Sequence, residues 1–131
     1  LEKIWKIEFT DNIKIDWYDW LEKDKLKEYY NNADIFLYGS RLDTWGVTIM
    51  EAMSYNLPII LFNYELWKYI YPKDIVTDDV NKSIKNVLSN YEFYSKLSND
   101  FIKKYTGKII IKQIFNFINT KNAINWWKCN K

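Results

Sequence analysis

Two carboxylates eight positions apart, those of Asp43 and Glu51, are the side chains of this sequence best placed for binding chemistry. Glu51 is the only charged residue between Thr44 and Tyr64, in a run dominated by apolar side chains. A carboxylate is costly to bury in such a setting without a partner, so Glu51 either pairs structurally or serves a ligand. The spacing of the two acids favours the ligand.

Gly46 lies between the two acids and opens a predicted helix whose first turn holds Val47 and Thr48. A glycine here lets a ligand approach the backbone closely, and the free N–H groups of these three residues form an anion site suited to a diphosphate. Glu51 follows Thr48 by three residues, so it lies on the same helix face, where it can accept hydrogen bonds from a vicinal diol such as ribose. Asp43, in the loop, would face whatever lies beyond the phosphates.

Each of these residues also has a structural interpretation. Asp43 stands three residues before Gly46, where it can cap the helix, and Glu51 can be a satisfied structural carboxylate. Arg41, in the same loop, is either an ordinary surface cation or a phosphate ligand. If the ligand interpretation holds, Gly46→Val should abolish binding with little loss of stability.

Strands and helices in alternation must position these residues. Residues 35–38 and 59–62 are short continuous apolar runs, which suit strands of a parallel sheet buried on both faces. Residues 13–17 alternate apolar and polar side chains, as a half-covered strand does. Helices are predicted for residues 21–31 and 47–55, so the alternation indicates an α/β fold. The loop that carries the first acid follows the second strand, at the carboxyl end where parallel sheets bind ligands.

The second half of the sequence is predicted to be mainly helical. The pair Asp78 and Asp79, and then Asn90, can cap two further helices, and residues 108–119 carry an apolar stripe of helical period. No repeat, linker or low-complexity block divides the chain, so residues 1–131 are expected to form a single domain.

Composition excludes several classes of chemistry. The sequence has no histidine, which removes the commonest general base and the commonest metal ligand. The single cysteine, Cys129, excludes an internal disulfide and fits a reducing compartment, so a cytoplasmic location is expected. The net charge of +2 gives no nucleic-acid footprint, and no run is long and apolar enough to span a bilayer. Membrane contact is therefore expected to be peripheral at most, and most aromatic side chains are expected to pack in the core.

The order of motifs around the acidic pair resembles the C-terminal, donor-binding domain of group 1 (family 4) glycosyltransferases of the GT-B fold. The hallmark of that family is a Glu-x7-Glu pattern that runs through a glycine into Glu-Ala-Met. It stands here as Asp43-x7-Glu51 with Gly46, followed by Ala52 and Met53. The resemblance covers residues 12–61, extends more loosely to residue 119, and includes Asn-Ala-Asp-Ile-Phe-Leu at 32–37, Ser-Arg at 40–41 and Leu-Pro-Ile-Ile at 57–60.

This resemblance implies a Rossmann-like parallel sheet flanked by helices and a retaining glycosyltransferase that takes a nucleotide sugar as its donor. Glu51 would bind the ribose, and Asp43 would contact the transferred sugar as the catalytic residue. Residues 46–48 would bind the diphosphate, with Arg41 as a further donor-binding residue. No metal or other cofactor is implied.

The sequence also departs from the family pattern. Asp43 replaces the usual first glutamate, which shortens the reach by one methylene. Asn56 replaces the glycine expected before Leu57, and asparagine tolerates a left-handed turn better than most residues. The Gly-Gly-x-x-Glu expected after Phe62 is absent. We therefore expect a partial donor-binding domain, without its first strand–helix unit and without an acceptor-binding domain.

A partial domain is expected to be inactive alone, because glycosyl transfer needs donor and acceptor held together in a closed cleft. An acceptor-binding domain, a partner chain or a homo-oligomer would complete it, and Trp126 and Trp127 are expected to belong to the docking surface. The alternative is a non-catalytic sugar-nucleotide-binding or assembly subunit. No nucleic-acid partner is expected, although a single-stranded binder that uses the aromatic and lysine side chains is a third interpretation.

Overall fold

The computed structural model describes residues 12–17, 21–40, 43, 46–62, 65–105 and 107. Over these ranges the chain is an α/β structure in which helices flank a small parallel sheet. Its elements, in chain order, are α1 (Lys23–Asn32), β1 (Phe36–Tyr38), α2 (Val47–Ser54), β2 (Ile59–Leu61), α3 (Trp67–Ile70), a 3₁₀ turn (Lys73–Ile75), α4 (Val80–Ser89) and α5 (Tyr91–Lys103). None of the described helices is long and apolar enough to cross a membrane.

The sheet is parallel, and apolar side chains pack against both of its faces. β1 and β2 pair in register with Phe36 opposite Ile59, and α2 makes the crossover between them. The alternate side chains of β2 enter two separate apolar clusters, Ile59 in one and Ile60 in the other. Val76 extends the sheet on the far side of β2 by a parallel bridge to Leu61. The continuous apolar runs of the sequence are thus explained by strands that pack apolar side chains on both faces, β2 fully buried and β1 half-buried.

Residues 13–17 are not a strand, and that prediction is wrong. The alternation of side chains is nevertheless real, because Ile13 and Ile15 pack against the second apolar cluster, while Lys14 and Asp16 pair with each other at the surface. A period of two in the hydrophobic pattern indicates which side chains face the core. It does not indicate whether the backbone forms hydrogen bonds with a neighbouring strand.

The predicted helix caps differ in outcome. Asp79 caps α4, since its carboxylate accepts a hydrogen bond from the amide of Lys82 at 3.0 Å, as predicted. Asn90 stands at the start of α5, but its side chain donates to the carbonyl of Asn86 and does not cap that helix. The capping role of Asn90 is therefore wrong. The helix predicted for residues 108–119, Cys129 and the tryptophans at 126 and 127 lie outside the described residues.

Helix α2 ends in a left-handed turn at Asn56, whose φ is 61°. The amide of Asn56 donates to the carbonyl of Met53 at 2.9 Å, and the amide of Leu57 donates to that of Ala52 at 3.4 Å. This pair of bonds is the Schellman arrangement, which needs a residue that tolerates positive φ. The prediction that asparagine replaces glycine in a left-handed turn is confirmed.

Helix α5 contacts the same turn through hydrogen bonds to Asn56. Substitution of Asn56 therefore measures how much the left-handed turn contributes to stability. Ser95 donates to the carbonyl of Asn56 at 2.7 Å, and the Asn99 side chain donates to its carboxamide oxygen. We expect Asn56→Ala to lower the free energy of unfolding by about 1 kcal/mol, because alanine adopts left-handed φ at a greater cost than asparagine. Urea unfolding measures the change.

Asn56→Gly and Asn99→Ala are the matched controls for this prediction. Glycine removes the side-chain contact with Asn99 but carries no penalty for positive φ, so Asn56→Gly should be more stable than Asn56→Ala. Asn99→Ala gives the contribution of the side-chain contact alone. Equal unfolding midpoints for the alanine and glycine variants at position 56 would show that the left-handed turn costs nothing there.

Candidate functional site

The candidate site lies where β1 ends and α2 begins. Tyr38 is the last residue of β1, Asp43 stands in the connecting loop, and Gly46 precedes the first turn of α2. The loop is therefore at the carboxyl end of a half-buried parallel strand, the place predicted for it. Arg41, the predicted cationic residue of this loop, lies outside the described residues.

Gly46 is buried and adopts the left-handed conformation, with φ 59° and ψ 51°. A Cβ added at this position would lie 2.5 Å from Cδ1 of Ile49 and 3.2 Å from the hydroxyl of Tyr71. Both the backbone and the packing around it thus require glycine before any ligand is considered. The expectation that Gly46→Val leaves stability almost unchanged is wrong, because a valine there would be strained by the positive φ and would press on Ile49.

Two hydrogen bonds from described residues hold Asp43, one to each carboxylate oxygen. The amide of Gly46 donates to Oδ1 at 2.9 Å, and the hydroxyl of Tyr38 donates to Oδ2 at 2.5 Å. The interpretation of Asp43 as a structural residue is therefore supported, since its carboxylate accepts a hydrogen bond from an amide at the start of α2. A carboxylate oxygen can accept more than one hydrogen bond, so these two bonds do not by themselves prevent Asp43 from binding a ligand.

The bond between Gly46 and Asp43 alters the predicted anion site. The amide of Gly46 was expected to be free for a diphosphate, and it is instead occupied by the Asp43 carboxylate. The amides of Val47 and Thr48 have no acceptor among the described residues, as is usual for the first turn of a helix. Val47 is 63% exposed, so this end of α2 borders solvent.

Two phenols surround the Asp43 carboxylate. Burial, and then the hydrogen bond to Asp43, raise the pKa of Tyr38. Burial, and then the charge of Asp43, raise the pKa of Tyr71, whose hydroxyl lies beside Gly46. The hydroxyl of Thr48 is also buried beside the Tyr38 phenol. It opposes the other two effects, because it lowers the pKa of Tyr38. The half-buried carboxylate thus lies beside two phenols that stay neutral at ordinary pH.

Glu51 lies one turn further along α2 and is partly exposed. Its neighbour is Tyr30 of α1, which is buried and donates to the backbone carbonyl of Thr48 at 3.3 Å. Burial, and then the charge of Glu51, raise the pKa of Tyr30. No lysine among the described residues forms an ion pair with Glu51. The Glu51 side chain therefore lies beside the buried Tyr30 and is still accessible to solvent, as a ligand-binding carboxylate must be.

A continuous series of contacting aromatic rings runs from Tyr30, the neighbour of Glu51, to Tyr38 and Tyr71, the neighbours of Asp43. Tyr30 contacts Phe36 at a centroid distance of 5.8 Å, and Phe36 stacks on Tyr38 at 6.0 Å. Tyr38 meets the edge of Trp67 at 5.9 Å, and Trp67 meets Tyr71 at 5.6 Å. These aromatic side chains pack in the core, as predicted, and they connect the supports of Asp43 to the support of Glu51.

The three tyrosines of the site were not identified from the sequence. Tyr38 could have been, because a hydroxyl at the end of an apolar strand stands directly before the candidate loop. Tyr30 and Tyr71 reach the site from α1 and from the end of α3, and no local pattern indicates those contacts. Among the described residues, no three histidine, cysteine or acidic side chains converge as a metal site.

The buried tyrosines predict a loss of stability in alkaline solution. Burial holds the pKa of Tyr30 and Tyr71 above the ordinary value of 10.0. The unfolded chain ionises these phenols at the ordinary value, so their contribution is complete below about pH 10 and is lost as the pH rises further. We expect the urea midpoint to fall between about pH 9 and about pH 11, and Tyr71→Phe to make that fall smaller.

Tyr69→Phe is the control for the alkaline experiment, because the Tyr69 side chain is 84% exposed. It should leave the fall between the two pH values unchanged. A Tyr71→Phe variant that loses as much stability as the parent chain over this interval would contradict the assignment to buried Tyr71.

The fold and the site together define a class of protein: a Rossmann-like α/β domain with an acidic pair and a glycine at the start of the helix that follows a buried strand. The family model described as glycosyl transferases group 1 matches residues 2–105. The chain belongs to the group 1 glycosyltransferase family.

Curated relatives agree with this assignment. Mannosylglucosylglycerate synthase from Thermotoga maritima is 44% identical over 39 residues, which are 30% of this chain and 9% of that protein. An uncharacterized glycosyltransferase from Methanocaldococcus jannaschii is 26% identical over 117 residues, which cover 79% of this chain and 30% of that protein. The chain thus spans less than a third of the length of these relatives. No solved structure gives a significant match.

Proposed function

We propose that this chain is the donor-binding portion of a retaining, nucleotide-sugar-dependent glycosyltransferase. The observation that carries the proposal is the placement of the acidic pair. Asp43 and Glu51 stand on either side of a left-handed glycine, at the carboxyl end of β1 and on the exposed side of α2. Glu51 would accept hydrogen bonds from the ribose, and Asp43 would accept from the transferred sugar.

The diphosphate is proposed to bind over the first turn of α2. The amides of Val47 and Thr48 are the donors available there, and the positive end of the helix dipole favours an anion. The Gly46 amide is committed to Asp43, so it contributes to the site by fixing that carboxylate. Arg41, from the same loop, remains a proposed phosphate ligand on the strength of its charge and sequence position.

A thermal-shift screen of UDP-, GDP- and ADP-sugars tests the proposal. A ligand at a hundred times its dissociation constant stabilises the folded state by about 2.7 kcal/mol, which is readily detected. The corresponding free sugars are the control, because they lack the nucleotide that Glu51 and the first turn of α2 would hold. Absence of stabilisation by every nucleotide sugar would contradict donor binding by this chain.

A second candidate function is a non-catalytic sugar-nucleotide-binding or assembly subunit. The observation in its favour is that both oxygens of Asp43 already have protein partners, so the residue has a structural task that needs no catalysis. Release of sugar from the donor distinguishes the two functions. It should appear when an acceptor-binding domain and an acceptor are supplied if the chain is part of an enzyme, and should stay absent if it only binds.

A further inference from the structure

Tyr38 is the side chain that links the Asp43 loop to the rigid part of the fold. Its ring is fixed by Phe36 in the same strand and by Trp67 from α3. Its hydroxyl donates to Oδ2 of Asp43 at 2.5 Å, while the Gly46 amide donates to Oδ1. Two donors on two oxygens fix the orientation of the carboxylate, and with it the directions from which Asp43 accepts hydrogen bonds.

We infer that Tyr38 is a positioning residue that sets recognition of the donor sugar through Asp43, an inference that rests on the proposed function. An ionised carboxylate accepts hydrogen bonds and donates none, so the ligand group that it binds must be a donor. The hydroxyls of the donor sugar meet this condition and phosphate oxygens do not, while the ribose hydroxyls are assigned to Glu51. The orientation that Tyr38 imposes should therefore matter for the sugar and not for the nucleoside diphosphate.

The direct test is Tyr38→Phe, which removes the hydroxyl but keeps the ring contacts with Phe36 and Trp67. Calorimetry on the full chain compares UDP-glucose with UDP, GDP-mannose with GDP, and ADP-glucose with ADP. For the pair that binds, the preference for the sugar nucleotide over the diphosphate should fall about fivefold or more, as for the loss of one well-oriented hydrogen bond. Equal losses for both compounds, or no loss, would overturn the inference.

Tyr94→Phe is the matched control, because it removes the hydroxyl of a tyrosine in α5 that contacts Phe93 rather than the acidic loop. It should leave the preference for the sugar nucleotide unchanged. A parent chain that binds none of the six compounds contradicts the proposed function, and the inference falls with it. A parent chain that binds, with the same preference in Tyr38→Phe, contradicts the inference alone.

A double-mutant cycle shows whether Tyr38 acts through Asp43. Asp43→Asn should lower the same preference, and adding Tyr38→Phe to it should lower the preference no further. Independent, additive losses would overturn the role of Tyr38 as a positioning residue. The cycle also covers the case in which Tyr38→Phe alone unfolds, because a folded Asp43→Asn variant with an unchanged preference would be enough to overturn the inference.

Discussion

Replacing Gly46 with alanine should lower the free energy of unfolding by about 3 kcal/mol. Left-handed φ costs an alanine about 1–2 kcal/mol. The new Cβ would also lie 2.5 Å from Cδ1 of Ile49, a side chain with no exposed surface. Overpacking of this kind adds about 1–3 kcal/mol. Because domains of this size are stable by only about 5–15 kcal/mol, the loss should be obvious in a urea unfolding curve.

Gly107→Ala is the control for the Gly46 prediction. No atom of the described residues lies within 4 Å of a Cβ placed at Gly107, so alanine there should be neutral or slightly stabilising. If the two alanine variants unfolded at the same urea concentration, the left-handed turn at Gly46 would not be required by the fold. Gly46 variants are therefore unsuitable for testing the diphosphate site, since an unstable variant can lose ligand binding without any change in ligand contacts.

The parts of the fold that the sequence predicted are those that depend on local properties. The apolar runs at 35–38 and 59–62 became β1 and β2 because a strand buried on both faces needs apolar side chains at every position. The left-handed turn at Asn56 and the cap at Asp79 were predicted from single residues whose side chains or backbone preferences act within a few positions.

The supports of the candidate site could not be predicted in this way. Tyr30 and Tyr71 reach it from elements before and after the acidic pair, so their contacts depend on how the helices pack. The hydrogen bond from Gly46 to Asp43 was foreseen only as a structural alternative, because spacing alone cannot decide whether an amide serves a neighbour or a ligand. Residues 13–17 show the same limit, since their alternation correctly predicted which side chains face the core but wrongly predicted a strand.

The short side chain at position 43 has a clear consequence in this structure. An aspartate three residues before Gly46 reaches back to its amide and at the same time accepts from Tyr38 at the end of β1. The carboxylate thereby ties the strand to the start of the helix. A substitution of Asp43 would therefore affect the fold as well as any ligand contact. Glu51 is the better of the two acids for testing the site, because its substitution should affect ligand binding alone.

Glu51→Ala should abolish donor binding, with a loss of about a hundredfold or more in affinity, while the fold stays intact. Two hydrogen bonds from a ribose diol to a charged acceptor are worth about 1.5–3 kcal/mol each, which is enough for a loss of that size. Stability should change little, because Glu51 is partly exposed and forms no ion pair with a described lysine. Tyr30 keeps its bond to the Thr48 carbonyl when the carboxylate is removed.

Glu28→Ala is the matched control, since it removes an exposed glutamate from α1, outside the acidic pair. Calorimetry with the nucleotide sugar that best stabilises the parent chain should give normal affinity for Glu28→Ala and none for Glu51→Ala. Urea unfolding of the two variants should give similar midpoints, which separates loss of the site from loss of the fold. If Glu51→Ala binds the nucleotide sugar as tightly as the parent chain, the ribose contact lies elsewhere and the proposed donor site is wrong.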